Sequence, residues 1–378
     1  MSNKKTAYVI SCSDHYGHRL HVTADYLRLR GYEVTYITSD FDHTAKENFV
    51  CSVPECVQLH ARPYRKNLSL DRILSHQMFA RDVFRYLEKL ERQPDVVVAL
   101  VPPNFLVHYG AKYKKKHPGV YLIFDIFDMW PETFPFGKAK KLLAPVFGVW
   151  AWIRDHSLSA ADYVTTECEM FRRLLKLPDE KSKAIYLCAE ALSIPDCGAR
   201  LREDRLELCY LGAINNVIDI PAICGLIWEL TAEKPVTLHI IGKGERQQEL
   251  IEAAETAGAE VCFYGAVYDE EQKQEIISIC RFGLNIMKSS VCVGLTMKSV
   301  DYFRFGLPII NNIPADTREL VEQKGIGIQC GGDCARRVLD MTVENCLAMR
   351  GNVKTVFDTT FEKNVVIGQY NQLFDEVL

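Results

Sequence analysis

GLTMKSVDYFRFGLPIINN, residues 294–312, joins an amphipathic helical segment to an apolar strand. Residues 306–308, Gly-Leu-Pro, mark a tight turn, because proline cannot continue a helix. The two isoleucines at 309–310 have the β-branched character of a covered strand. Lys298 and Asp301 do not fit this apolar pattern. They are three positions apart and therefore share one face of the first helical turn, where they need a polar partner.

Lys298 and Asp301 can be interpreted in two ways. A lysine can neutralise a phosphate, and an aspartate can accept hydrogen bonds from both hydroxyls of a ribose. Alternatively, the two residues form a surface ion pair in which Asp301 complements the helix dipole. The spacing alone leaves both a nucleotide site and a surface pair open.

The length and composition indicate a folded protein of two domains. A chain of 378 residues exceeds the size at which a single core usually divides. Its content of 48% hydrophobic and 25% charged residues is typical of a soluble globular protein and excludes long disordered regions. The net charge of −4 gives no general attraction for nucleic acid, so we expect no nucleic-acid partner and only local anion sites.

The cysteines and the apolar segments indicate the compartment. Fourteen cysteines are scattered singly along a long chain, which favours reduced thiols in the core. The close pairs Cys51/Cys56 and Cys330/Cys334 lack the spacing of zinc ligands, so we expect no metal site. The N-terminal apolar run is too short for a signal peptide, and no window approaches the length of a spanning helix. We therefore expect a cytoplasmic protein, or one held peripherally on the inner face of the cytoplasmic membrane.

Strands alternate with helices along two successive parts of the chain. The first series begins with AYVISCS at 7–13, and the second begins with LELCYLG at 206–212. Such alternation predicts parallel sheets covered by helices on both faces. We therefore expect an α/β protein with two Rossmann-like parallel-sheet domains, 1–195 and 205–355, that face one another across a cleft. The carboxyl ends of the strands and the N-termini of the helices should line this cleft and favour anions.

Three features occur in order in the second half: a strand ending in Gly-x-Gly at 238–244, the segment VCFYGAV at 261–267, and a Lys-x-x-acidic-Tyr helix before Gly-x-Pro at 298–308. Together they resemble the donor-binding half of a GT-B glycosyltransferase of the group 1, family 4-like class. In the first half, IFDIFDMWPETFP at 123–135 is similar to the Asp-x-x-Asp-x-Trp-Pro-Glu segment of the bacterial polysaccharide-biosynthesis subgroup. YRKNLSLDRILSH at 64–76 resembles an acceptor-side loop of that subgroup.

This resemblance implies a glycosyltransferase for cell-surface polysaccharide, such as capsule or exopolysaccharide. The donor would be a nucleoside-diphosphate sugar bound in the second domain, and the acceptor a saccharide, expected to be lipid-linked, bound in the first. Transfer would retain the anomeric configuration and would need neither a metal nor another cofactor. The C-terminal helix, within 356–378, would pack back on the first domain, as is usual in this fold.

The resemblance also implies a set of donor-binding residues. They are Gly212, Asn215, Gly242, Gly244, Phe263, Tyr264, Gly265, Lys288, Thr296, Lys298 and Asp301. The glycines would let the backbone approach the nucleotide, and the aromatic pair would flank its base. Lys298 and the amides near Thr296 would hold the diphosphate, so Lys298 is a catalytic candidate, and Asp301 would hold the ribose.

The chain departs from the family pattern at two places. The first of the two family glutamates falls on Val293, and the usual Arg and Lys after the first strand of the second domain are missing. Stabilisation of the leaving group would then depend on Lys298, on helix amides, or on Lys288 or Arg65.

Acceptor-side candidates follow a buried strand of the first domain. Asp125 and Asp128 stand at its carboxyl end, where desolvation raises the pKa of a carboxyl group and suits orientation of a hydroxyl. We assign Asp128 to orient the acceptor; the alternative is a turn aspartate before Trp130. Four further residues complete the acceptor set: His18, Arg65, Trp130 and Glu132. His18 is alternatively a solvated loop histidine.

Residues 136–158 suggest a membrane contact. Lys138, Lys140 and Lys141 precede an aromatic set, Phe147, Trp150 and Trp152, as in helices that lie on anionic lipid. A core-packed helix with a charged start is the alternative.

Two rival functions share the fold. The missing glutamate and cations suit a non-catalytic relative that binds a nucleotide or a partner protein. A nucleotide-sugar 2-epimerase is the other rival, and it would need acid and base carboxylates that are scarce near residues 290–301.

Overall fold

The computed structural model describes residues 4–375 apart from 14–16, 44, 52, 54, 67–68, 134–138 and 194–197. The chain divides into two compact units. The first comprises Met1–Leu187 together with Val366–Leu378, and the second comprises Cys188–Val365. The structure therefore places the division at residues 187–188, and the C-terminal segment belongs to the first unit.

The first unit is built on a parallel sheet. Its described strands are β1 (Thr6–Ile10), β2 (Glu33–Ser39), β3 (Phe41–Asp42), β4 (Glu47–Asn48), β5 (Cys56–Leu59), β6 (Val96–Val101), β7 (Tyr121–Ile126), β8 (Tyr163–Thr166) and β9 (Ser182–Ala184). Seven of them form one sheet in the order β5-β2-β1-β6-β7-β8-β9, and every pair in it is parallel. The short strands β3 and β4 pair antiparallel outside this sheet.

Helices accompany these strands. They are α1 (Gly17–Leu29), α2 (Leu70–Glu88), α3 (Phe105–Lys116), α4 (Ala139–Asp155) and α5 (Glu169–Leu174). The central strand β6, VVVALV, is buried along its whole length, as expected for a parallel strand covered on both faces. The C-terminal end of the chain contributes a further helix, in which Tyr370 stacks on Tyr26 of α1 with ring centroids 5.7 Å apart.

The second unit repeats this architecture. Its strands are β10 (Leu206–Leu211), β11 (Val236–Ile241), β12 (Glu260–Gly265), β13 (Phe282–Asn285), β14 (Ile309–Asn311) and β15 (Gly327–Gln329). They form a parallel sheet in the order β12-β11-β10-β13-β14-β15. The helices are α6 (Ile220–Thr231), α7 (Gln247–Thr256), α8 (Glu270–Ser278), α9 (Met297–Arg304), α10 (Asp316–Lys324), α11 (Cys334–Leu339), α12 (Val343–Val356) and α13 (Lys363–Asp375), the last of which ends in the first unit.

Tyr302 fixes α9 against the carboxyl end of this sheet. The strands β10 and β13 pair through only two residues each, and beyond that point the Tyr302 hydroxyl lies between them. It accepts a hydrogen bond from the Leu211 N–H at 2.9 Å and lies 3.2 Å from the carbonyl oxygens of Cys209 and Leu284. A side chain at Gly283 would come within 2.6 Å of the tyrosine ring. The helix carrying Lys298 is therefore held at the strand ends.

The predicted fold class is confirmed, with two parallel sheets in two Rossmann-like units. None of the described cysteines forms a disulfide.

Candidate active site

The first turn of α9 places Lys298 over the end of strand β10. The Thr296 hydroxyl caps the helix by accepting a hydrogen bond from the Ser299 N–H at 3.0 Å. Lys298 lies one turn before Tyr302 and shares its face, so the buried tyrosine directs the lysine toward the sheet. The Lys298 ammonium is 4.0 Å from the ring centroid of Tyr210, which is a cation–π contact.

The ammonium of Lys298 is held in an unusual electrostatic state. Burial lowers its pKa to about 7. In the described part of the chain no carboxylate forms an ion pair with it, and the predicted alternative of a surface pair with Asp301 is absent there. A half-buried lysine of this kind gains stability when an anion binds beside it, because the anion restores the charged form.

Glycine-containing loops surround this lysine. A Cβ atom at Gly212 would lie 3.5 Å from the Lys298 Cε atom. A Cβ at Gly242 would lie 2.0 Å from the Gly212 carbonyl oxygen, and one at Gly244 would lie 2.1 Å from that of Ile214. The loops after β10 and β11 therefore cross in direct backbone contact. This packing within the chain already requires Gly242 and Gly244, whether or not a nucleotide approaches them.

The same edge contains a cation that the sequence patterns did not single out. The Gly242 N–H donates to the Gly265 carbonyl at 2.7 Å, which joins the loop after β11 to the end of β12. The Lys243 Cε atom lies 3.1 Å from the position that a Gly265 Cβ would take. Gly212, Gly242, Gly265 and Lys298 are thus linked along one edge, with Lys243 beside them. The position of Lys243 between two glycines was the available signal.

The two aromatic candidates at the end of β12 have different surroundings. The Tyr264 hydroxyl is 2.9 Å from Nδ1 of His239, and the two rings are stacked. His239 in turn contacts Glu207 at 2.8 Å. Phe263 and Tyr264 are about equally exposed, at 40% and 39%, but the Tyr264 hydroxyl is tied to the sheet through His239.

Asp301 lies on the α8 side of α9. Burial raises its pKa to about 6, although the charges of Arg304 and Lys273 offset part of that shift. Arg304 and Lys273 both pair with Glu270 of α8, at 3.2 and 3.1 Å. Asp301 therefore ionises only above about pH 6, and its role toward a ribose stays a prediction.

Asn215 and Lys288 lie in neighbouring loops. The Asn215 side chain accepts a hydrogen bond from the Val217 N–H at 3.1 Å, and the Lys288 N–H donates to the Val217 carbonyl at 2.9 Å. Arg246, and more weakly Lys288, lower the pKa of Glu249 on α7. Lys288 is therefore directed toward α7, and no described contact joins it to Lys298.

In the first unit, Asp125 is part of the core. Arg19 donates two hydrogen bonds to its carboxylate at 2.6 and 2.7 Å, and the Thr165 hydroxyl donates a third at 2.7 Å. Asp125 is only 1% exposed. The geometry corrects the expectation that Asp125 binds the acceptor, because both of its carboxylate oxygens are occupied in holding α1 against β7 and β8.

Asp128 and Trp130 form a second buried arrangement. The indole N–H of Trp130 donates to the Asp128 carboxylate at 2.6 Å. Burial raises the pKa of Asp128, and hydrogen bonds, including that from Trp130, offset part of the shift. The Trp130 ring is itself buried between Arg72 and His76. Asp128 is half-buried, and its role toward the acceptor stays a prediction; Trp130 is buried and offers little surface to an acceptor.

The other acceptor candidates are dispersed. Glu132 pairs with the fully buried Arg154 of α4 at 2.9 Å, so its carboxylate chiefly anchors that helix. Arg65 is exposed on the loop before α2. His18 falls in the first turn of α1, and its side chain lies outside the described residues.

The helix predicted to contact lipid exposes an apolar face. Val146, Val149 and Trp152 of α4 are 54%, 60% and 59% exposed. Trp150, predicted for the same face, is instead buried against Trp130, with ring centroids 6.1 Å apart. The side chains of Lys138, Lys140 and Lys141 lie outside the described residues. In the described part of the chain no helix is long and apolar enough to cross a membrane.

Several solved structures are similar to this chain over its full length. One is Anabaena HepE in complex with UDP and glucose, at 12% identity and a TM-score of 0.63 over 99% of this chain and 100% of that chain. Another is the lipopolysaccharide outer core galactosyltransferase WaaB, at 14% identity and a TM-score of 0.64 with the same coverage. The chain has the GT-B glycosyltransferase fold.

A third similar solved structure is the E. coli trehalose-6-phosphate protein bound with UDP-2-fluoro glucose. Its identity is 10% and its TM-score 0.67, over 99% of this chain and 100% of that chain. No protein-family model and no curated protein matches the sequence. Among the described residues, no three His, Cys, Asp or Glu side chains are grouped to hold a metal ion.

Within this GT-B fold, the sequence patterns did not assign Lys243 or Tyr210 to the site, and they included Tyr302 in a motif without its packing role. Tyr302 stands four positions after Lys298, and that helical spacing was the signal for a shared face. Tyr210 carried no signal, because only the packing of α9 on β10 brings it beneath Lys298.

Proposed function

We propose that the protein transfers a sugar from a nucleoside-diphosphate sugar to a saccharide acceptor. The observation that carries this proposal is the state of Lys298, which is half-buried at the end of β10 with a pKa of about 7. The backbone N–H groups of Met297 and Lys298 lie in the first turn of α9, before its first intrahelical hydrogen bond. A diphosphate at this position would receive both the ammonium charge and the helix N-terminus.

The proposed chemistry concentrates on the leaving group. As the bond between the anomeric carbon and the diphosphate oxygen breaks, negative charge develops on the diphosphate, and Lys298 stabilises it, with Lys243 nearby. The acceptor hydroxyl forms the new bond on the same face of the sugar, so the configuration is retained, and its proton passes to the leaving diphosphate. We assign Asp128 to accept a hydrogen bond from that hydroxyl. In this scheme side chains supply the cationic charge, and the reaction needs no metal.

The donor is expected to carry uracil. HepE was solved with UDP and the E. coli protein with a UDP-sugar analogue, which supports testing uridine donors first. Phe263 and Tyr264 are both exposed at the end of β12, and we assign Phe263, whose side chain has no polar tie to the sheet, to contact the base.

The acceptor is expected to be lipid-linked, and the reaction to belong to cell-surface polysaccharide synthesis. The exposed Val146, Val149 and Trp152 give α4 an apolar face with an aromatic residue suited to the membrane interface. This face supports peripheral binding to the inner face of the cytoplasmic membrane. Salt-sensitive co-sedimentation with anionic liposomes, lost in a Val149→Ser, Trp152→Ser variant, tests it.

The decisive experiment combines nucleotide binding with turnover. Nucleotides and nucleotide sugars are first screened by thermal shift, because a ligand stabilises the folded state that binds it. Transfer is then measured for Lys298→Met, which should lose roughly a hundredfold or more in rate. Lys324→Met, at the exposed end of α10, is the matched control and should keep the full rate. A near-normal rate for Lys298→Met at saturating donor would contradict the proposal.

A second candidate function is a non-catalytic nucleotide-binding relative. It is favoured by Val293 at the position of a family glutamate and by the lack of a cation in the loop from Gly212 to Asn216. Tight nucleotide binding without transfer to any acceptor would support it. Conversion of the donor to its 2-epimer without an acceptor would instead identify the epimerase.

A further inference from the structure

The first unit contains a small cavity with a buried arginine in its lining. Tyr64, Arg72, His76 and Trp130 are among its described lining residues, which include no aspartate or glutamate. Arg72 is only 8% exposed. Its guanidinium carbon lies 4.3 Å from the Trp130 ring centroid and 5.8 Å from that of Tyr64. Two aromatic rings thus hold a buried positive charge at the wall of this cavity.

A buried histidine adds an unused polar atom to the cavity. His76 is 5% exposed, its ring stacks on Trp130, and its Nδ1 atom has no hydrogen-bond partner in the described part of the chain. Burial, followed by the charge of Arg72, holds the pKa of His76 well below its usual value, so the ring is neutral. A neutral imidazole can still donate one N–H to a ligand oxygen. Such a bond would relieve the cost of burying that atom unpaired.

An open groove adjoins Tyr64 as well, since Tyr64 lines both the groove and the cavity. Its described lining includes four cations, Lys46, Arg62, Arg65 and Lys66, and one carboxylate, Asp71. Asp71 pairs with Arg62 at 2.8 Å, so the described lining of the groove has an excess of three positive charges over negative ones.

The state of Lys46 and the N-terminus of α2 also affect the positive potential of the groove. Lys46 lies over Tyr64, with its ammonium 4.6 Å from the ring centroid. Burial and Arg72 lower its pKa, while Asp42 raises it. The N-cap of α2, Ser69, also lines the groove, so the positive end of a 19-residue helix adds to its potential.

We propose that this cationic groove, together with the cavity that shares Tyr64 with it, binds a phosphoryl group of the acceptor. The identification of the ligand as the acceptor rests on the proposed function, whereas the affinity for a phosphoryl group does not. A carboxylate carries one charge and would leave most of the cations unneutralised, whereas a phosphate or diphosphate ester presents several charged oxygens to them. Trp130 lines the cavity and also contacts Trp150 of α4, with ring centroids 6.1 Å apart, so the cavity wall packs directly on that helix.

The phosphoryl affinity is tested apart from catalysis. Inorganic pyrophosphate is titrated calorimetrically into the full chain carrying Lys298→Met, which silences the donor site. Binding should persist and should weaken by roughly tenfold or more when Arg65→Met and Lys66→Met are added. Both side chains are exposed, so their loss should leave the fold intact. The control adds Arg85→Met and Lys89→Met, two exposed cations at the far end of α2, and should keep the affinity.

Three outcomes of this titration overturn the proposal: no binding, equal weakening in the control, or an affinity that is unchanged by the groove substitutions. Arg72→Met tests the cavity, with its folding checked by near-ultraviolet circular dichroism. If it folds normally and binds pyrophosphate as well as the parent, the cavity has no part in the site.

Transfer assays then identify the source of the phosphoryl group. With a lipid-linked diphosphate saccharide and with a water-soluble sugar phosphate, the KM for the acceptor should rise more than kcat falls in the Arg65→Met, Lys66→Met variant. With a neutral saccharide acceptor, the KM of this variant should equal that of the wild-type protein. A Trp152→Ser variant should impair only the lipid-linked acceptor if lipid is the source. If no nucleotide sugar binds or reacts, the proposed function fails, yet the pyrophosphate titration still decides whether the groove binds phosphoryl groups.

Discussion

Donor binding should depend on pH through Lys298. Its ammonium has a pKa of about 7 in the free protein because it is buried. A diphosphate binds the charged form, so above this pH binding must take up a proton, and affinity falls as pH rises. A group with this pKa is roughly 75% protonated at pH 6.5 and about 3% protonated at pH 8.5. The affinity for a nucleotide sugar should therefore fall about 25-fold across this interval.

The assay is isothermal titration of UDP-glucose at several pH values. UDP-glucose is a suitable ligand because its diphosphate is esterified at both ends and does not titrate in this interval. Repeating the titrations in buffers of different ionisation enthalpy measures the uptake of the proton directly. The matched variant is Lys298→Arg, whose guanidinium stays protonated throughout. Its affinity should be nearly independent of pH.

Two results would refute the reasoning. One is an affinity of the wild-type protein that does not change between pH 6.5 and 8.5, with no proton taken up. The other is a Lys243→Met variant that loses the pH dependence while Lys298→Arg retains it. That outcome would assign the titrating ammonium to the loop after β11 instead of α9.

Three further predictions test the surroundings of Lys298. The folded-state pKa of Asp301 is raised to about 6, so ionisation of this carboxyl destabilises the folded protein once the pH exceeds the unfolded-state pKa. Asp301→Asn should therefore stabilise the ligand-free protein at pH 7 by up to about 3 kcal/mol in urea unfolding, and no pH-dependent difference from wild type would contradict this. Tyr302→Phe leaves the Leu211 N–H unsatisfied and should cost about 1–3 kcal/mol of unfolding free energy, whereas an unchanged urea midpoint would show that the hydroxyl does not fix α9. Gly242→Ala places a Cβ 2.0 Å from the Gly212 oxygen at a φ of +151° and should cost about 3 kcal/mol or more; its control, Gly351→Ala in α12, meets no neighbour within 4 Å and should gain up to about 1 kcal/mol.

Some parts of the fold were readable from local pattern. The runs VVVALV at 96–101 and LELCYL at 206–211 are wholly apolar or nearly so, and both are buried parallel strands. Short peripheral strands were missed, such as β5 at Cys56–Leu59 and β9 at Ser182–Ala184. They have only three or four residues each, most of them partly buried, and show no periodicity of their own, because pairing with a neighbouring strand makes them extended.

The candidate site was predicted unevenly for a related reason. Gly242 and Gly244 lie where the loop after β10 already requires glycine, so their pattern does not by itself indicate a ligand. Lys298 falls on a helical first turn, as its spacing from Asp301 predicts, and the structure shows why that turn faces the strand ends. Asp125 was predicted to bind the acceptor, but it is buried in a pair with Arg19. Arg19 lies 106 positions away, so no local sequence pattern indicates this pair.

Local pattern was enough to predict the two α/β series and the helical turn that carries Lys298, since periodicity and turn residues act over a few positions. Long-range packing, in contrast, controls which charged side chains are available to a ligand. Asp125 is paired with Arg19, the Tyr210 ring contacts the Lys298 ammonium, and the buried Arg72 stacks on Trp130. These contacts join residues far apart in the chain, and burial among such partners sets the charge and the pKa of each group.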